Sequence, residues 1–221
     1  MDEVIRTDLN DGIHHIIRHK KTSGKVLDFG CGLGFLLQIL KSNGYSVSGV
    51  EISKIAIEYN RKNGIPVFSE IGDIGGSTFD IVSAIDVIEH MESPMDFLRS
   101  LIQLLSPQGF IFIRLPVING ALFLKDRPEE WKFVYSPYHL HMFSTTSLRY
   151  IAGKLGLKVE IIQDPKLHAT FSGYLIQKGI SMPRMRHNPI VPPWIYAKYL
   201  FARSRYKKMF GSDAVFAFLS R

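Results

Sequence analysis

The chain has 221 residues, of which 46% are hydrophobic, and a formal net charge of +7. This length and apolar content can bury one substantial core, so we expect one decorated domain rather than two. The single cysteine, Cys31, excludes an intrachain disulfide, and its place among glycines favours a packing role over a catalytic thiol. The N-terminus lacks the basic-then-apolar order of a signal peptide, and no run approaches the roughly 18 apolar residues that span a bilayer. A reducing cytoplasm is therefore the expected location.

The positive charge is concentrated at the C-terminal end. Residues 165–221 contain ten Lys or Arg and a single acidic residue, Asp213, whereas residues 1–164 contain 17 basic and 19 acidic residues. Most of the chain is therefore close to neutral. The basic end predicts either an acidic partner or surface, or a solvated basic face.

Strands and helices alternate through the first half of the chain. The predicted elements are a helix around Leu9 to His19, strand 26–30, helix 34–43, strand 46–51, helix 53–63, strands 66–69 and 79–85, helix 94–105 and strand 109–115. Ser53 and Ser93 are candidate N-caps, and Gly44 and Gly64 mark helix ends. This order is typical of a doubly wound α/β fold.

The second half continues the alternation after a loop rich in aromatic residues and histidines, namely Trp131, Tyr135, Tyr138, His139 and His141. Ser144 begins a helix that Gly156 ends, and strands follow at 157–163 and 213–219. Residues 165–211 separate these last two strands, so we interpret them as an insertion. No internal repeat or low-complexity tract is present.

A three-glycine turn lies between the first predicted strand and the next helix. Gly30, Gly32 and Gly34 leave no Cβ between the main chain and a ligand, and glycine permits positive φ where the chain reverses. The spacing Gly-x-Gly-x-Gly differs from the Gly-x-Gly-x-x-Gly of dinucleotide binders, whose third glycine serves helix packing beside a pyrophosphate. The turn therefore predicts a ligand without a diphosphate.

An acidic residue, Glu51, ends the second strand about 20 residues beyond the first glycine, where α/β nucleotide folds place a ribose-binding carboxylate. Together with Asp28 and the glycines, it resembles the first two motifs of class I S-adenosylmethionine-dependent methyltransferases. The resemblance covers most of residues 20–164. It implies a Rossmann-like, seven-stranded, mostly parallel α/β sheet with an antiparallel last strand, and S-adenosylmethionine as cofactor.

The resemblance assigns further cofactor contacts. Asp73 is expected to accept a hydrogen bond from the adenine amino group while Ile74 covers the ring, although Asp73 could also be an ordinary turn aspartate. Asp28 is expected to hydrogen-bond the turn, or the cofactor's ammonium group through the backbone. The remaining expected contacts come from the turn itself and from Cys31, Ile52, Asp86 and Val87. The domain thus divides into an N-terminal helix (1–24), a cofactor-binding core (25–164), a basic amphipathic insertion (165–211) and the last strand (212–221).

The segment Asp86 to Met91, with the later series Pro116, Trp131, His139 and Phe143, resembles ubiquinone-biosynthesis O-methyltransferases and their small-molecule relatives. Ligands of α/β folds lie at the carboxyl ends of strands, so the segment is expected to face the transferred methyl group. It lacks the Asn- or Asp-Pro-Pro-aromatic motif of enzymes that methylate exocyclic nitrogens of DNA bases. DNA is therefore not an expected partner.

Methyl transfer from a sulfonium is an in-line displacement, so holding the acceptor beside the methyl group can supply most of the catalysis. If the acceptor is a hydroxyl, His139 is the preferred base, with His90 and His141 as further candidates. Each histidine could instead be structural, and His141 could satisfy a backbone carbonyl. A divalent metal is a further candidate, because Asp86, Glu89 and His90 would share one face of a helical turn. We favour Asp86 and His90 as residues that line the site.

The insertion carries a predicted amphipathic helix, with an apolar stripe flanked by basic residues at 192–210. It could lie at a membrane surface, cover the acceptor, or pack on the domain. The predicted acceptor is a small-molecule or lipid- or sugar-linked compound of anionic character, methylated at oxygen. The alternatives are a catalytically silent binding or assembly protein, and a methyltransferase acting on RNA or protein. Nothing in the sequence indicates an oligomeric state.

Overall fold

The structure is a computed structural model that describes residues 20–118, 138–163 and 214–221, together with Ile13, Ile17 and Arg18. Ile13 and Ile17 are helical and fully buried, as expected for the predicted N-terminal helix. The predicted insertion, residues 165–211, lies outside the described residues, as do Trp131 and Tyr135.

The described chain alternates between strands and helices. The elements are β1 (Lys25–Phe29), α1 (Phe35–Ser42), β2 (Ser46–Val50), α2 (Lys54–Lys62), β3 (Val67–Phe68), β4 (Phe79–Ile85), α3 (Pro94–Gln103), β5 (Leu105–Pro116), α4 (Thr145–Lys154), β6 (Lys158–Gln163) and β7 (Ala214–Ser220). Short 3₁₀ helices cover Ile71–Ile74 and Ile88–His90. None of these helices combines the length and apolar character that crossing a bilayer requires.

All seven strands form one sheet in the order β3-β2-β1-β4-β5-β7-β6. The pairs from β3 to β5 are parallel, whereas β7 is antiparallel to both of its neighbours, β5 and β6. The predicted Rossmann-like sheet with an antiparallel last strand is therefore confirmed.

Helices cover both faces of the sheet. Successive residues of a strand point to opposite faces, so each central strand contributes side chains to two separate cores. Leu27 and Val82 belong to a core that includes Leu98 of α3. The adjacent residues Val26 and Ile81 belong to a second core on the other face, which α1 and α2 cover. Both strands are thus apolar on each face, as a buried central strand requires.

Three helices begin with serine N-caps. Ser53 accepts a hydrogen bond from the Ala56 N–H, and Ser93 accepts one from the Asp96 N–H. Ser144 forms a reciprocal capping box with Ser147. Each cap satisfies an N–H group that the first turn of a helix leaves unpaired, so these serines fix where the helices begin.

β5 begins earlier than predicted. Helix α3 ends at Gln103, and Leu105 already pairs with Phe79, whereas the prediction extended the helix to 105 and began the strand at 109. The register then shifts, because Ile81 pairs with Phe110. The Ser-Pro-Gln-Gly stretch between the two pairs is an irregularity in the strand, which an apolar pattern does not reveal.

Candidate functional site

The predicted site residues follow the carboxyl ends of parallel strands. The glycine turn follows β1, Glu51 follows β2, and residues 86–91 follow β4. Because β2, β1 and β4 are adjacent and parallel, these segments meet at one edge of the sheet. This edge is where ligands of open α/β sheets bind.

The glycine turn has the backbone that the sequence predicts. Gly30, Gly32 and Gly34 have φ of 72°, 53° and 70°. A Cβ on Gly30 would lie 2.8 Å from Val87 Cγ2, and one on Gly34 would lie 1.9 Å from Asn60 Oδ1, whereas Gly32 has open space around it. Two glycines are therefore required by packing as well as by φ, and the third leaves bare main chain accessible.

Glu51 is held against the turn by main-chain donors. Its Oε2 accepts a hydrogen bond from the Gly32 N–H at 2.8 Å, and its Oε1 accepts from the N–H groups of Ile52 and Ser53 at 2.8 and 2.9 Å. A carboxylate has about four lone-pair positions, so these three bonds leave capacity for a further donor. Ile52 beside it is 89% exposed.

Asp28 is buried and bonds to the neighbouring strand. The Ser83 hydroxyl donates to its Oδ1 at 2.7 Å, in place of the bond to the turn that the sequence analysis expects. Burial raises the pKa of Asp28 to about 7; the Ser83 hydrogen bond opposes this effect and the charge of Glu51 adds to it. The carboxyl group therefore exchanges a proton near neutral pH.

Cys31 is a packing residue. Its Sγ would lie 2.5 Å from a Cβ on Gly49, so the thiol fills the space that this glycine leaves. Burial, followed by the charges of Asp28 and Glu51, raises the pKa of the thiol to about 12. A thiol that stays protonated is a poor nucleophile, in agreement with the expected packing role.

Asp73 and Ile74 lie in the 3₁₀ helix after β3 and differ in exposure. Asp73 is exposed and accepts a hydrogen bond from the Ser69 hydroxyl at 2.7 Å. Ile74 is buried and packs in the core with Leu27 and Val50. The two residues thus reach the carboxyl edge of the sheet from opposite sides of one turn.

Asp86 is paired with a buried arginine. Arg114 of β5 is 3% exposed, and its Nη1 contacts Asp86 Oδ1 and Oδ2 at 2.5 and 2.6 Å. Asp86 also has φ of 54°, which is positive and therefore strained for a residue other than glycine. Arg114 is not among the predicted site residues, although a charged residue in an otherwise apolar strand is a visible signal in the sequence.

Three side chains meet beside the turn. One donor atom from each of Glu89, His90 and His139 lies within 4.8 Å of the others. The two imidazole rings are 4.7 Å apart between centroids, at 72° to each other. Leu140 and His141 donate main-chain hydrogen bonds to the Glu89 carbonyl, so the 138–143 loop is tied to the segment after β4.

Glu89 is the unusual member of this cluster. It is 1% exposed, and neither carboxylate oxygen has a hydrogen-bond partner among the described residues. Burial raises its pKa to about 7. Burying a carboxyl group without a partner costs stability unless a ligand or a proton completes it, so Glu89 is a candidate for such a role.

The histidines differ in their partners. His90 Nδ1 lies 2.7 Å from the Tyr138 carbonyl, which can only accept, so Nδ1 carries the proton and the lone pair is on Nε2. His141 Nε2 faces the Glu92 carbonyl at 3.3 Å, which is the structural alternative that the sequence analysis left open. His90 and His139 are therefore the pair that the structure brings together with Glu89.

The donor set of this cluster also suits a divalent cation. One carboxylate oxygen and two imidazole nitrogens are common ligands of divalent transition metals, and the buried Glu89 carboxylate has no hydrogen-bond partner in the part of the chain that the structure describes. Of the candidate set of Asp86, Glu89 and His90, the structure brings Glu89 and His90 together with His139. The Asp86 carboxylate is instead paired with Arg114.

Known proteins that are similar to this chain identify the class of enzyme to which the fold and the site at the sheet edge belong. A family model described as a methyltransferase domain matches residues 1–161. The chain belongs to this methyltransferase family, and the predicted class I S-adenosylmethionine-dependent methyltransferase is confirmed.

Relatives of known activity are similar over part of their length. The chain is 40% identical over 96 residues to the mitochondrial ubiquinone biosynthesis O-methyltransferase of Schizosaccharomyces pombe, covering 38% of this chain and 35% of the relative. It is 29% identical to the ubiquinone biosynthesis O-methyltransferase of Vibrio parahaemolyticus, covering 63% and 69%. The chain spans half the length or less of several of the curated relatives that it matches.

Solved structures share the fold over most of the chain. A SAM-dependent methyltransferase from Archaeoglobus fulgidus superimposes with a TM-score of 0.66 at 18% identity, covering 98% of this chain and 94% of that one. Magnesium protoporphyrin IX methyltransferase from Synechocystis, with bound SAH, gives a TM-score of 0.58 at 17% identity, covering 74% and 78%. At these identities the likeness establishes the fold.

Proposed function

We propose that the protein transfers a methyl group from S-adenosylmethionine to a hydroxyl oxygen of a small-molecule or lipid- or sugar-linked acceptor of anionic character. The observation that carries this proposal is the cluster of Glu89, His90 and His139 beside an open glycine turn. Val87, two residues before Glu89, is the side chain that packs against Gly30. The two parts of the site are therefore contiguous.

The cofactor is placed on the turn. Gly32 offers bare main chain for the methionine part of S-adenosylmethionine, and Glu51 has lone-pair capacity for one further donor, a ribose hydroxyl. Asp73 is exposed at the next strand end, where its carboxylate can accept from the adenine amino group. These roles for Glu51 and Asp73 follow from position at the sheet edge and are part of the proposal.

The acceptor is placed at the cluster. His139 takes the hydroxyl proton as the methyl group transfers, and His90 is the second base, with its lone pair on Nε2. Displacement at the methyl carbon needs the acceptor oxygen in line with the sulfur, so most of the rate enhancement comes from orientation. The similarity to ubiquinone biosynthesis O-methyltransferases supports oxygen as the acceptor atom.

Exposed apolar side chains favour an acceptor with an apolar part. Tyr138, Leu140 and Met142 are 66%, 52% and 53% exposed on the loop that carries His139. An apolar ligand that covers them removes this surface from water, which contributes roughly 25 cal/mol per Å². The anionic character rests on the sequence alone, from the excess of Lys and Arg in residues 165–221.

Labelled S-adenosylmethionine tests the proposal in two steps. The purified protein should bind the cofactor and should transfer label to an acceptor in a fractionated lysate extract of lipids and small molecules. His139→Ala should lower turnover by roughly 10²- to 10⁴-fold while the dissociation constant for S-adenosylhomocysteine stays unchanged. Cofactor binding without transfer to any fraction would instead support a catalytically silent binding protein. Label found in RNA or protein would show that the acceptor is a macromolecule rather than a small molecule or lipid.

A divalent cation is the second candidate for the same cluster. Glu89, His90 and His139 would hold it, and it would lower the pKa of an acceptor hydroxyl. Calorimetric titration of the chelator-treated protein with Mg²⁺, Mn²⁺ and Zn²⁺ tests the candidate without an acceptor. Binding that Glu89→Gln and His139→Ala each weaken supports the cation, whereas no binding of any of the three ions leaves the histidines as bases.

A further inference from the structure

A polar side chain is buried next to the glycine turn. Asn60 of α2 is 0% exposed, on the face of the helix that also buries Ala56 and Ile57. An amide in an apolar face lowers stability unless its polar atoms find partners. Its contacts are therefore informative about why asparagine stands at this position.

The amide of Asn60 reaches the turn directly. Its Nδ2 donates to the Gly32 carbonyl at 2.7 Å and to the Ala56 carbonyl at 2.8 Å. Its Oδ1 has no partner among the described residues and lies 1.9 Å from where a Cβ on Gly34 would stand. The side chain thus contacts the turn with both ends of its amide group.

Two side chains together fix the main chain of Gly32. Glu51 accepts from its N–H at 2.8 Å, and Asn60 donates to its carbonyl. Of the three turn glycines, Gly32 is the one with open space around it, and its φ is 53°. Glycine adopts positive and negative φ about equally readily, so the residue type alone does not fix this conformation. The peptide plane before Gly32 is also held by the Gly34 N–H, which donates to the Cys31 carbonyl at 2.9 Å. The plane after Gly32 is held through the carbonyl that accepts from Asn60.

We propose that Asn60 is a positioning residue that holds the glycine turn in the conformation that accepts S-adenosylmethionine. The inference depends on the proposed placement of the cofactor on this turn. Asn60 is buried behind the turn and acts through Gly32. Removing it makes the free turn occupy several conformations, and binding must then restore one of them, which weakens affinity without changing any contact to the cofactor.

The test compares two asparagines of one helix. Asn63 is exposed at the end of α2, and its Nδ2 donates to the Tyr59 carbonyl, just as Asn60 donates to Ala56. Calorimetric binding of S-adenosylhomocysteine is measured for the wild type, Asn60→Ala, Asn60→Ser and the matched control Asn63→Ala. Serine at position 60 can still bond to the Ala56 carbonyl within the helix but is too short to reach Gly32.

Both Asn60 variants should raise the dissociation constant by roughly 3- to 10-fold, the effect of one hydrogen bond, at a temperature well below their unfolding midpoints. Asn63→Ala should bind like the wild type. A lowered melting temperature with an unchanged dissociation constant would show that Asn60 only stabilises the fold and would overturn the proposal. Loss of native structure in both Asn60 variants would overturn it for the same reason. A wild-type protein that binds neither S-adenosylhomocysteine nor S-adenosylmethionine would instead refute the proposed function itself.

Discussion

The two halves of the site are built differently. On the cofactor side, the turn after β1 is fixed at Gly32, whose N–H donates to Glu51 and whose carbonyl accepts from Asn60. On the acceptor side, Glu89 is buried without a hydrogen-bond partner among the described residues, and Asp86 has a strained positive φ. On the cofactor side, side chains therefore hold the main chain of the turn, and the single amide oxygen of Asn60 is without a partner among the described residues. On the acceptor side, a ligand or a proton would have to complete both oxygens of a carboxyl group.

This difference has a chemical reason. A cofactor common to a whole class of enzymes needs one fixed cradle, and a preorganised cradle loses little entropy on binding. The acceptor side must discriminate one compound and move a proton. Groups with pKa values near neutral, such as Glu89 at about 7, are suited to that task but lower the stability of the empty site.

The largest expected effect comes from one variant on each side of the site, with turnover and cofactor affinity measured for both. His139→Ala should reduce turnover by roughly 10²- to 10⁴-fold and leave cofactor affinity unchanged, because it removes a base. Glu51→Ala should instead weaken cofactor binding while the fold stays intact. Turnover at saturating cofactor and calorimetric affinity, measured on both variants, check the separation. Full turnover in His139→Ala would remove the base assignment, and unchanged affinity in Glu51→Ala would remove the ribose role.

The second prediction concerns the buried Asp28 under the turn. The native carboxyl holds its proton up to a pKa of about 7, whereas the unfolded chain releases it near 3.8. The native state therefore binds more protons at Asp28 between these values, and the contribution of Asp28 to stability should fall as pH rises from about 4 to 7. Asp28→Asn removes this dependence, so its free energy of unfolding relative to the wild type should rise by up to about 4 kcal/mol across that window.

Urea unfolding at several pH values measures this difference, and Asp80 supplies the control. The Lys25 N–H and the Lys21 ammonium hold the pKa of Asp80 below its usual value. Its contribution is therefore present above the unfolded pKa and is lost as pH falls, so Asp80→Asn should change the pH slope in the opposite direction. Parallel pH profiles for the wild type and Asp28→Asn would contradict the assignment of a protonated carboxyl beneath the turn.

Local patterns predicted the fold and the backbone of the glycine turn. The glycine spacing, the serine caps and the strand-helix order depend on a few neighbouring residues, so Gly30, Ser53 and Ser144 could be interpreted directly. The position of Glu51 followed from the regular length of a βαβ unit. Each of these features depends on local backbone geometry, so it predicts the same local structure in any chain with this fold.

Contacts between distant residues could not be predicted. Asn60 and Gly32 are 28 positions apart, as are Arg114 and Asp86, and His139 lies 49 positions beyond His90. Such pairs depend on sheet order and loop path. A polar residue in an apolar helix face and an arginine in an apolar strand were visible, but a pattern does not say which partner satisfies them.

The third prediction tests how rigid the cofactor side is. Gly34→Ala places a Cβ 1.9 Å from Asn60 Oδ1 at φ of 70°, whereas Gly44→Ala has a comparable φ of 87° and nothing within 4 Å. Gly44→Ala should lose about 1–2 kcal/mol of unfolding free energy from backbone strain, and Gly34→Ala at least about 3 kcal/mol. In the double variant Gly34→Ala/Asn60→Ala the clash is absent, so its destabilisation should be smaller than the sum of the single effects. Simple additivity would contradict the contact.

The smallest expected effect is the loss of one helix cap, compared between the acceptor side and the cofactor side of the site. Ser144 begins α4 beside the acceptor loop and forms a reciprocal box with Ser147, with the Ser147 N–H donating to its hydroxyl at 3.0 Å. Ser53 begins α2 on the cofactor side, and its hydroxyl accepts from the Ala56 N–H at a longer 3.5 Å. Ser144→Ala should therefore cost about 1 kcal/mol of unfolding free energy, and Ser53→Ala less. Chemical denaturation of the two variants measures the order. If Ser53→Ala were instead the more destabilising variant, the Ser144 cap would contribute little. The loop that carries His139 would then be anchored mainly by its main-chain hydrogen bonds to the Glu89 carbonyl.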